Sequence, residues 1–449
     1  MMKKNMKLVL GALVVLGLSA AATAADLKPR IVVMTDISTG EPDDHESLTR
    51  LLAHADMFEI EAICISTGWS MGTVNEKFIS IAHDVINAYE KDLPNLMKRS
   101  KQVGHDFDDA MQPIGYWPSP QYLRSRTMFG SLKSGTNVLG SNHDSPGSNL
   151  IIKLADESQD TRPIYTQAWG GGNTLAQAIW RVKHDRSEEQ FKAFLRKVRI
   201  YTITDQDNNG GSPSSHGWMR QVAGADLQFI WDGCAWGRHN SSGKRNWNQY
   251  ETHIQAHGAL GSQYPKYKYG VEGDTPSFLY SMPTGLNDPD DPSQCSWGGN
   301  YKNNGSNLWT GAGSCGSYFD RFYPAAFNNF AARMDWAKDG AGNRNPVVVV
   351  DGEKSIRVMN KTPKAGSSVT LDASQTTDPD GDKLTFNWWI QSDAGSYSGK
   401  VNIANSNSNK ATIEVPADSA GKTFHVVCEV IDDGTHNLSS YRRIIFQPN

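Results

Sequence analysis

Three carboxylates lie close together in one short segment that leaves a predicted strand and enters a predicted helix. The segment runs from Met34 to His45 and contains Asp36, Asp43 and Asp44. In open parallel sheets ligands bind at the carboxyl ends of strands, and three aspartates there would repel one another unless a cation shared them. A hard divalent ion with oxygen ligands would relieve this repulsion, and calcium is the better candidate in an extracellular protein. Alternatively, Asp43 and Asp44 only cap the helix, where carboxylates are favoured.

Strand and helix patterns alternate around this segment, from about residue 30 to residue 336. Short apolar runs predict buried strands, and amphipathic stretches between them predict helices. Such alternation is typical of βαβ units, so we predict an α/β domain with a mostly parallel sheet and helices on both faces. The predicted strands are Ile31–Met34, Ile60–Ser66, Ile164–Gln167 and Val198–Thr204, and the predicted helices are Asp44–Ala55, Glu76–Tyr89 and Asn173–Lys183.

The sequence changes character after Gly340. Clusters of Asp, Gly, Asn and Ser separate β-branched runs, and no helical period is present. This pattern predicts a β-sandwich of about 100 residues. We place the domain boundary so that residues 26–342 form the α/β domain and residues 343–449 form the sandwich. The β-branched runs are Val347–Val350, Ser368–Leu371, Ala411–Val415 and Phe424–Ile431.

Residues 1–25 have the pattern of a secretory signal peptide. Basic residues up to Lys7 precede an apolar run from Leu8 to Ala22, and small residues continue to Ala25. A membrane anchor needs about 20 apolar residues, and this run is shorter. We therefore predict cleavage near Ala24 or Ala25 and export to the periplasm or the medium.

Charge and hydropathy exclude some classes of partner. Loss of the three lysines of the signal peptide lowers the formal net charge from −4 to −7. An acidic chain without a basic block is a poor nucleic-acid binder. No later segment is apolar enough to cross a membrane. We expect neither nucleic acid nor membrane as a partner, and the oligomeric state stays open.

The acidic segment resembles the first motif of the nucleoside hydrolases, in which a strand ends in Asp-Thr-Asp-Pro-Gly-x-Asp-Asp. Asp36 matches the second aspartate of that motif, and Asp43 and Asp44 match the final pair. Met34 stands where the family has its first aspartate, and the turn is two residues longer.

Later segments resemble other parts of the same family. Residues 168–176 look like the turn that supplies a backbone carbonyl to calcium, which by this alignment belongs to Trp169. Asp274, in a Gly-Asp-Thr-Pro sequence, is the candidate for the late aspartate of the metal shell. Residues 140–148, 205–207, 272–278 and 297–299 resemble a secreted branch described as cellulose-binding, in which a small β-domain follows, and residues 377–389 resemble immunoglobulin-like domains.

The resemblance implies a metal-assisted hydrolysis of a glycosidic bond, with inversion expected for direct attack by water. Asp36 would be the general base, and Asp43 would hold a sugar hydroxyl. Asp144, Asp205 and Asp207 are further candidate sugar contacts, although a structural role of the last two is equally open. The implied calcium ligands are Asp36, Asp44, the Trp169 carbonyl and Asp274.

One departure from the family bears on the substrate. Nucleoside hydrolases carry an asparagine after the second strand that touches ribose, and here Trp69 falls at that position. Tryptophan offers a stacking face for a sugar ring but cannot replace the amide hydrogen bonds. The sequence therefore favours a glycoside hydrolase acting on a polysaccharide or oligosaccharide. The alternative is a non-catalytic cellulose- or polysaccharide-binding protein, and a nucleoside hydrolase is the least favoured hypothesis.

The chain has five cysteines and no Cys-x-x-Cys pair, which argues against zinc. Cys295 and Cys315 lie in one loop rich in Gly, Ser and Asn. In an oxidising compartment we expect a disulfide between them.

Overall fold

The computed structural model describes residues 26–69, 72–101, 108, 110–136, 139–207 and 214–449. The predicted signal peptide, residues 1–25, lies outside the described residues. In the described part of the chain, no helix is long and apolar enough to cross a membrane.

The larger domain is built on a sheet that has eight strands within the described residues, in the order β3-β2-β1-β4-β5-β6-β8-β7. Neighbouring strands are parallel except for the pair β7 and β8 at one edge. The strands are β1 Arg30–Thr35, β2 Glu59–Ile65, β3 Thr127–Phe129, β4 Ile164–Ala168, β5 Val198–Ile203, β6 Gln228–Asp232, β7 Tyr301–Asn303 and β8 Leu308–Gly311.

Helices cover both faces of this sheet, as the sequence predicts. All six residues of β1 are buried, and its apolar side chains alternate between the faces. Ile31 and Val33 pack with α1, α2 and α12, whereas Val32 and Met34 pack with α4, α5 and α6. The helices are α1 Asp43–Ala53, α2 Ile79–Ser100, α3 Pro120–Ser125, α4 Pro146–Asp156, α5 Asn173–Asp185, α6 Glu188–Lys197, α7 Ser215–Ala223, α8 Ala235–Arg245, α9 Trp247–Tyr250, α10 Gly258–Gln263, α11 Thr275–Ser281 and α12 Cys315–Asp339.

The strand order places a switch point between β1 and β4. From β1 the chain proceeds outward through β2 to β3, then returns to β4 on the other side of β1 and proceeds to β5 and β6. The connections therefore diverge at the carboxyl ends of β1 and β4 and leave a crevice there, which is the ligand-binding position of open α/β sheets. The segment with Asp36 follows β1, and Trp169 follows β4.

Residues 343–449 are all described, and they form two sheets that enclose a separate apolar cluster. Neighbouring strands are antiparallel except for β15 and β9. This arrangement confirms the predicted β-sandwich. The first sheet has the order β10-β13-β12 and the second β11-β14-β15-β9, with β9 Met359–Lys361, β10 Ser368–Asp372, β11 Leu384–Gly395, β12 Asn402–Ala404, β13 Lys410–Glu414, β14 Phe424–Asp432 and β15 Ser439–Phe446.

The two domains share an apolar core. Val427 of β14 and Tyr441 of β15 are buried in the same cluster as α12 and Trp297 of the larger domain. The Trp297 indole donates a 3.3 Å hydrogen bond to the Tyr441 hydroxyl. Gln391 of β11 accepts from the Cys295 backbone at 3.1 Å and donates to the Ser293 carbonyl at 3.0 Å. The sandwich is thus packed against the larger domain through side chains buried in both.

The predicted pairing of Cys295 with Cys315 is wrong in this structure. Both side chains are buried, and neither is bonded to the other. The Cys295 Sγ atom lies 3.4 Å from the Arg443 guanidinium, whereas the Cys315 thiol is hydrogen-bonded to the Cys234 thiol. Proximity in the sequence did not bring the two cysteines together, because Cys315 starts α12 and faces the turn after β6 instead.

Candidate functional site

A pocket of about 460 Å³ opens at the carboxyl ends of the parallel strands. Its walls come from the loops after β1, β2, β4 and β5, from the start of α1, from the end of β5, from α8 and from the loop before α11. This placement agrees with the switch point between β1 and β4. The lining residues are Asp36, Glu41, Asp43, Asp44, Trp69, Trp169, Ile203, Thr204, Gln206, Trp236, Asn240, Tyr269, Gly270, Gly273 and Asp274.

Three of the pocket carboxylates form a compact group. Oxygen atoms of Asp43, Asp44 and Asp274 all lie within 4.8 Å of one another. Burial and the neighbouring negative charges raise the pKa of Asp43 to about 8 and the pKa values of Asp44 and Asp274 well above the ordinary range. Asp36 lines the same pocket and contributes to each of these shifts. Such mutual repulsion is relieved by a divalent cation with oxygen ligands.

The hydrogen bonds of these residues argue against a mere capping role. Pro42, not an aspartate, occupies the N-cap position of α1, although the Asp43 carboxylate accepts a 3.1 Å hydrogen bond from the Asp44 backbone N–H in the first turn. Asp44 instead accepts a hydrogen bond from the Thr35 hydroxyl. The Asp274 Oδ2 atom is buried without a hydrogen-bond partner among the described residues. An orphaned carboxylate oxygen beside two other carboxylates fits a hard cation such as calcium.

Two acidic side chains occupy space that a side chain at Gly68 or Gly273 would fill. A Cβ atom placed on Gly68 would lie 2.2 Å from the Asp36 Oδ2 atom, and one placed on Gly273 would lie 2.3 Å from the Asp43 Oδ2 atom. Both distances are far below van der Waals contact. The carboxylates therefore lie directly against the backbone of the loop after β2 and of the loop before α11.

A buried ionic network fixes the loop that carries Asp274. The Glu272 carboxylate accepts hydrogen bonds from Arg50 of α1 at 2.6 Å and from His239 of α8 at 2.8 Å. The Glu272 backbone N–H donates to Glu46 at 2.6 Å. Burial alone would raise the pKa of Glu272, but Arg50 and His239 bring it below its ordinary value. Glu272 also has a φ of 49°, in the left-handed region that non-glycine residues seldom adopt.

Several aromatic side chains line the pocket, and two of them are exposed to solvent. Trp69 is 58% exposed and Tyr269 is 60% exposed. Trp236 is partly buried, and its indole Nε1 has no partner among the described residues, which is also true of the Asn240 Oδ1 atom. The pocket therefore offers aromatic faces, one free donor and one free acceptor beside the carboxylates, a combination suited to a sugar with its hydroxyl groups.

Trp169 contributes its backbone rather than its ring. The side chain is 1% exposed, and its indole donates a 2.7 Å hydrogen bond to Ser277. The Trp169 carbonyl accepts from the Gln206 side chain at the pocket wall. A carbonyl oxygen has a second lone pair, so this group keeps the capacity to bind a cation.

The remaining predicted sugar contacts do not lie on the pocket. Asp207 is fully buried, and its carboxylate accepts a 3.0 Å hydrogen bond from the Ser215 backbone. Asp205 lies 3.5 Å from the His216 ring and accepts from the Asp207 backbone. Asp205 and Asp207 do not line the pocket, and each carboxylate accepts a backbone hydrogen bond, which favours the structural role that the sequence left open.

Asp144, another predicted sugar contact, is bound by protein groups as well. Its carboxylate forms a 2.7 Å ion pair with Arg181 and accepts a 2.7 Å hydrogen bond from Gln177, both on α5. It is not among the residues that line the pocket. Asp144 ties the loop before α4 to α5.

Several pocket residues were not expected from the sequence: Glu41, Gln206, Asn240 and Tyr269. For two of these residues the sequence contains a local indication of a role in the pocket. Glu41 lies inside the acidic segment, and Gln206 lies between the two aspartates that the sequence singled out. The others come from helix α8 and from a loop without a motif, and only the tertiary fold brings them to the carboxyl edge of the sheet.

Comparisons with known proteins agree with this architecture. The family described as "Cellulose-binding Sde182, nucleoside hydrolase-like domain" matches residues 30–301, and the family described as "Cellulose-binding protein Sde0182, C-terminal domain" matches residues 368–448. A solved structure described as a nucleoside hydrolase-related hypothetical protein from Saccharophagus degradans, associated with carbohydrate metabolism, is 35% identical. It covers 94% of this chain and 100% of its own, with a TM-score of 0.82.

The chain belongs to the cellulose-binding Sde182 family, with its nucleoside-hydrolase-like domain. The matched regions of the family include every pocket residue named above. Two other solved structures are too dissimilar to carry an argument. A PKD domain from the KIAA 1837 protein is 20% identical and covers 21% of this chain and 80% of its own, with a TM-score of 0.16. The effector protein XOO4466 is 10% identical and covers 70% of this chain and 94% of its own, with a TM-score of 0.36. No curated protein matches the chain.

Proposed function

We propose that this protein is exported and binds a polysaccharide or oligosaccharide in the carboxyl-edge pocket, where it hydrolyses a glycosidic bond with the help of calcium. One observation carries the proposal: four aspartates and two exposed aromatic rings, from segments far apart in the sequence, line a single pocket. Clustered carboxylates with raised pKa values in a cleft are typical of catalytic and metal-binding sites. The family's cellulose-binding description supports a glycan as the ligand.

Each group of the pocket has a distinct role in this proposal. Asp44, Asp274, the Trp169 carbonyl and one oxygen of Asp36 or Asp43 would hold a calcium ion, which would polarise a water molecule and orient sugar hydroxyls. Asp36 takes a proton from the attacking water. Trp69 and Tyr269 bind sugar rings at the mouth of the pocket.

The reaction is a direct displacement at the anomeric carbon. The water oxygen forms a bond to that carbon while the bond to the departing oxygen breaks, and one proton of the water goes to Asp36. The departing oxygen takes a proton from solvent at the open mouth of the pocket. Direct attack inverts the anomeric configuration.

A second candidate function is glycan binding without turnover. Two observations favour it: Met34 replaces the first aspartate of the nucleoside-hydrolase motif and is buried in the apolar core, and Trp69 replaces the asparagine that contacts ribose. The exposed ring of Trp69 also makes nucleosides the least favoured substrate, because a stacking surface cannot replace the amide hydrogen bonds to ribose.

A screen against a panel of glycans and nucleosides tests the proposal. The mature chain is incubated with each compound, with calcium and with a chelator, and both retention and released reducing sugar are measured. We expect calcium-dependent release from at least one glycan and none from nucleosides. Retention on glycans without release would favour the binding function, and release of free base from nucleosides would contradict the substrate assignment.

Sequencing of the secreted protein's N-terminus tests export. We expect the mature chain to begin directly after Ala24 or Ala25.

A further inference from the structure

Cys234 and Cys315 face each other beside the pocket. Cys234 precedes α8, and Cys315 is the first residue of α12. Their thiols are within hydrogen-bonding contact. A Cβ atom placed on Gly311 would lie 3.0 Å from the Cys234 Cβ atom and 3.6 Å from both the Cβ and the Sγ atoms of Cys315. Both cysteine side chains therefore lie close to Gly311, the last residue of β8.

The backbone on both sides of this pair is held firmly. The Asp232 carboxylate accepts hydrogen bonds from the backbone N–H groups of Cys234, Ala235 and Trp236 at 2.8–3.0 Å. The Cys315 N–H donates to the Ala312 carbonyl at 2.9 Å. Little chain entropy remains to be lost when two side chains on such ordered turns are joined.

The other cysteines have no comparable neighbour among the described residues. Cys64 and Cys428 are buried in two separate apolar clusters. Cys295 lies against Arg443, and burial raises the pKa of its thiol to about 11. These three thiols are positioned as buried structural groups.

We propose that Cys234 and Cys315 form a disulfide when the folded protein meets a disulfide-bearing oxidant, as it would on export. The Cys234 thiolate attacks one sulfur of the oxidant, and a mixed disulfide forms while one thiolate leaves. The Cys315 thiolate then attacks the Cys234 sulfur, and the second thiolate leaves. Two cysteine thiols are oxidised, one oxidant disulfide is reduced to two thiols, and two protons pass to the leaving thiolates.

The reactivity of the two thiols is unequal in a way that suits this order. Cys234 is half-buried, so an external oxidant can reach it, whereas Cys315 is buried. The hydrogen bond from Cys315 lowers the pKa of the Cys234 thiol, and the same contact together with burial raises the pKa of Cys315. Cys234 is therefore the attacking thiol and Cys315 the resolving one.

The bond would close a loop that contains six of the fifteen residues that line the pocket. Residues 235–314 include Trp236, Asn240, Tyr269 and Asp274, all of which line the pocket. A cross-link at the two ends of this stretch restricts the unfolded chain and the opening of α8 away from α12. The inference does not depend on glycan binding or turnover, so its failure would leave the proposed function untouched.

Mapping of the cross-link tests this assignment. The reduced, folded mature chain is equilibrated with oxidised glutathione, denatured with an alkylating reagent, digested and analysed by mass spectrometry. We expect a peptide pair linked through Cys234 and Cys315, with Cys64, Cys295 and Cys428 alkylated. Five alkylated cysteines, glutathione adducts alone, or a link between Cys295 and Cys315 would overturn the proposal.

Two variants keep the test specific. Cys295→Ala should retain the link, and Cys234→Ser should lose it and leave Cys315 alkylated. The oxidised wild type should also melt several degrees above its reduced form, and this difference should vanish in Cys234→Ser. An equal difference in that variant would contradict the assignment.

Discussion

At the scale of single residues, the acidic side chains of the pocket are held in a costly arrangement. Asp44 and Asp274 are buried, and their pKa values are raised by burial first and by neighbouring carboxylates second. The protein keeps this repulsion although an apolar or amide side chain would remove it. A bound cation would offset the repulsion, and for this reason we propose metal binding at this cluster.

Calcium should therefore stabilise the protein. A ligand that binds only the folded state adds about 2.7 kcal/mol to the free energy of unfolding at 100 times its dissociation constant. Asp274→Asn should lose most of this gain, because it removes a charged ligand. Thermal unfolding with and without calcium measures this gain in stability. Asp144→Asn is the control: it changes an acidic residue outside the pocket and should keep the full gain. An unchanged calcium effect in Asp274→Asn would contradict the site.

The exposed aromatic residues should determine glycan affinity. By analogy with aromatic stacking on other planar ligands, Trp69→Ala and Tyr269→Ala should each weaken binding by roughly 1–3 kcal/mol. Retention of the variants on the best glycan of the panel measures the effect. Met111→Ala is the matched control, because Met111 is also exposed but its backbone N–H binds Glu59 at the amino end of β2. Equal losses in all three variants would argue against a specific surface.

At the scale of elements, the Glu272 network couples α1 and α8 to the loop that carries Asp274. Glu272→Gln leaves the Arg50 charge buried without its counter-charge, which typically costs 3–5 kcal/mol in the free energy of unfolding, so we expect a loss of about that size. Urea unfolding measures it. Arg238→Ala is the control, because the exposed pair of Arg238 and Asp320, 3.4 Å apart, should be worth about 0–1 kcal/mol. Similar effects of the two changes would show that the buried network is not important for stability.

The elements themselves were largely predictable from the sequence. The predicted strand Ile31–Met34 is observed as Arg30–Thr35, and the predicted helix Asn173–Lys183 is observed as Asn173–Asp185. Buried apolar runs and helical periods are local signals, and they survive in the folded chain. Val347–Val350 was predicted as part of the sandwich strands but makes only isolated bridges at its two ends. Its β-branched residues fit a strand, but no neighbouring strand is available along the run.

Pocket residues could be predicted from the sequence only where they belong to a motif. Asp36, Asp43, Asp44 and Asp274 could be found because they belong to recognisable strand ends and turns. Tyr269 could not be found, because nothing local shows which loops meet across the pocket. The role of Asp207 stayed open for a related reason: it follows a strand end like Asp36, but its side chain turns inward onto the Gly171–Gly172 turn.

At the scale of the whole molecule, the sandwich contributes packing rather than an evident binding surface. Its large apolar residues are buried or partly buried, including Trp389, whose ring lies 4.0 Å from the Arg321 guanidinium carbon of α12. The exposed large apolar residues of the described chain all belong to the larger domain. We therefore expect glycan contacts to centre on the larger domain.

The buried histidine of the sandwich should make stability depend on pH. Burial first, and Arg443 second, lower the pKa of His425 to about 4, whereas Asp291 acts in the opposite direction. In the unfolded chain histidine titrates near 6.5. The contribution of His425 is thus complete above about pH 6.5 and is lost as the pH falls towards 4, at roughly 1.4 kcal/mol per pH unit, because the unfolded state takes up the proton.

A single substitution isolates this dependence. His425→Gln keeps an acceptor for Arg443, whose guanidinium donates to His425 at 3.0 Å, but removes the titration. The free energy of unfolding should fall less steeply with acid in this variant, by roughly 1.4 kcal/mol per pH unit near pH 5. His184→Gln, at an exposed site, should leave the slope unchanged. Parallel slopes for wild type and His425→Gln would contradict the prediction.

The central claim is that the pocket hydrolyses the glycan it binds, and Asp36→Asn tests it most directly. Asparagine keeps the shape and one ligand oxygen but cannot accept the proton of the attacking water. On the best glycan of the panel, with calcium present, turnover and retention are measured side by side for wild type and variant. We expect turnover to fall by about 10²–10⁴-fold while affinity stays near that of wild type. Undiminished turnover in the variant, or a wild type that retains the glycan without ever cleaving it, would contradict the account.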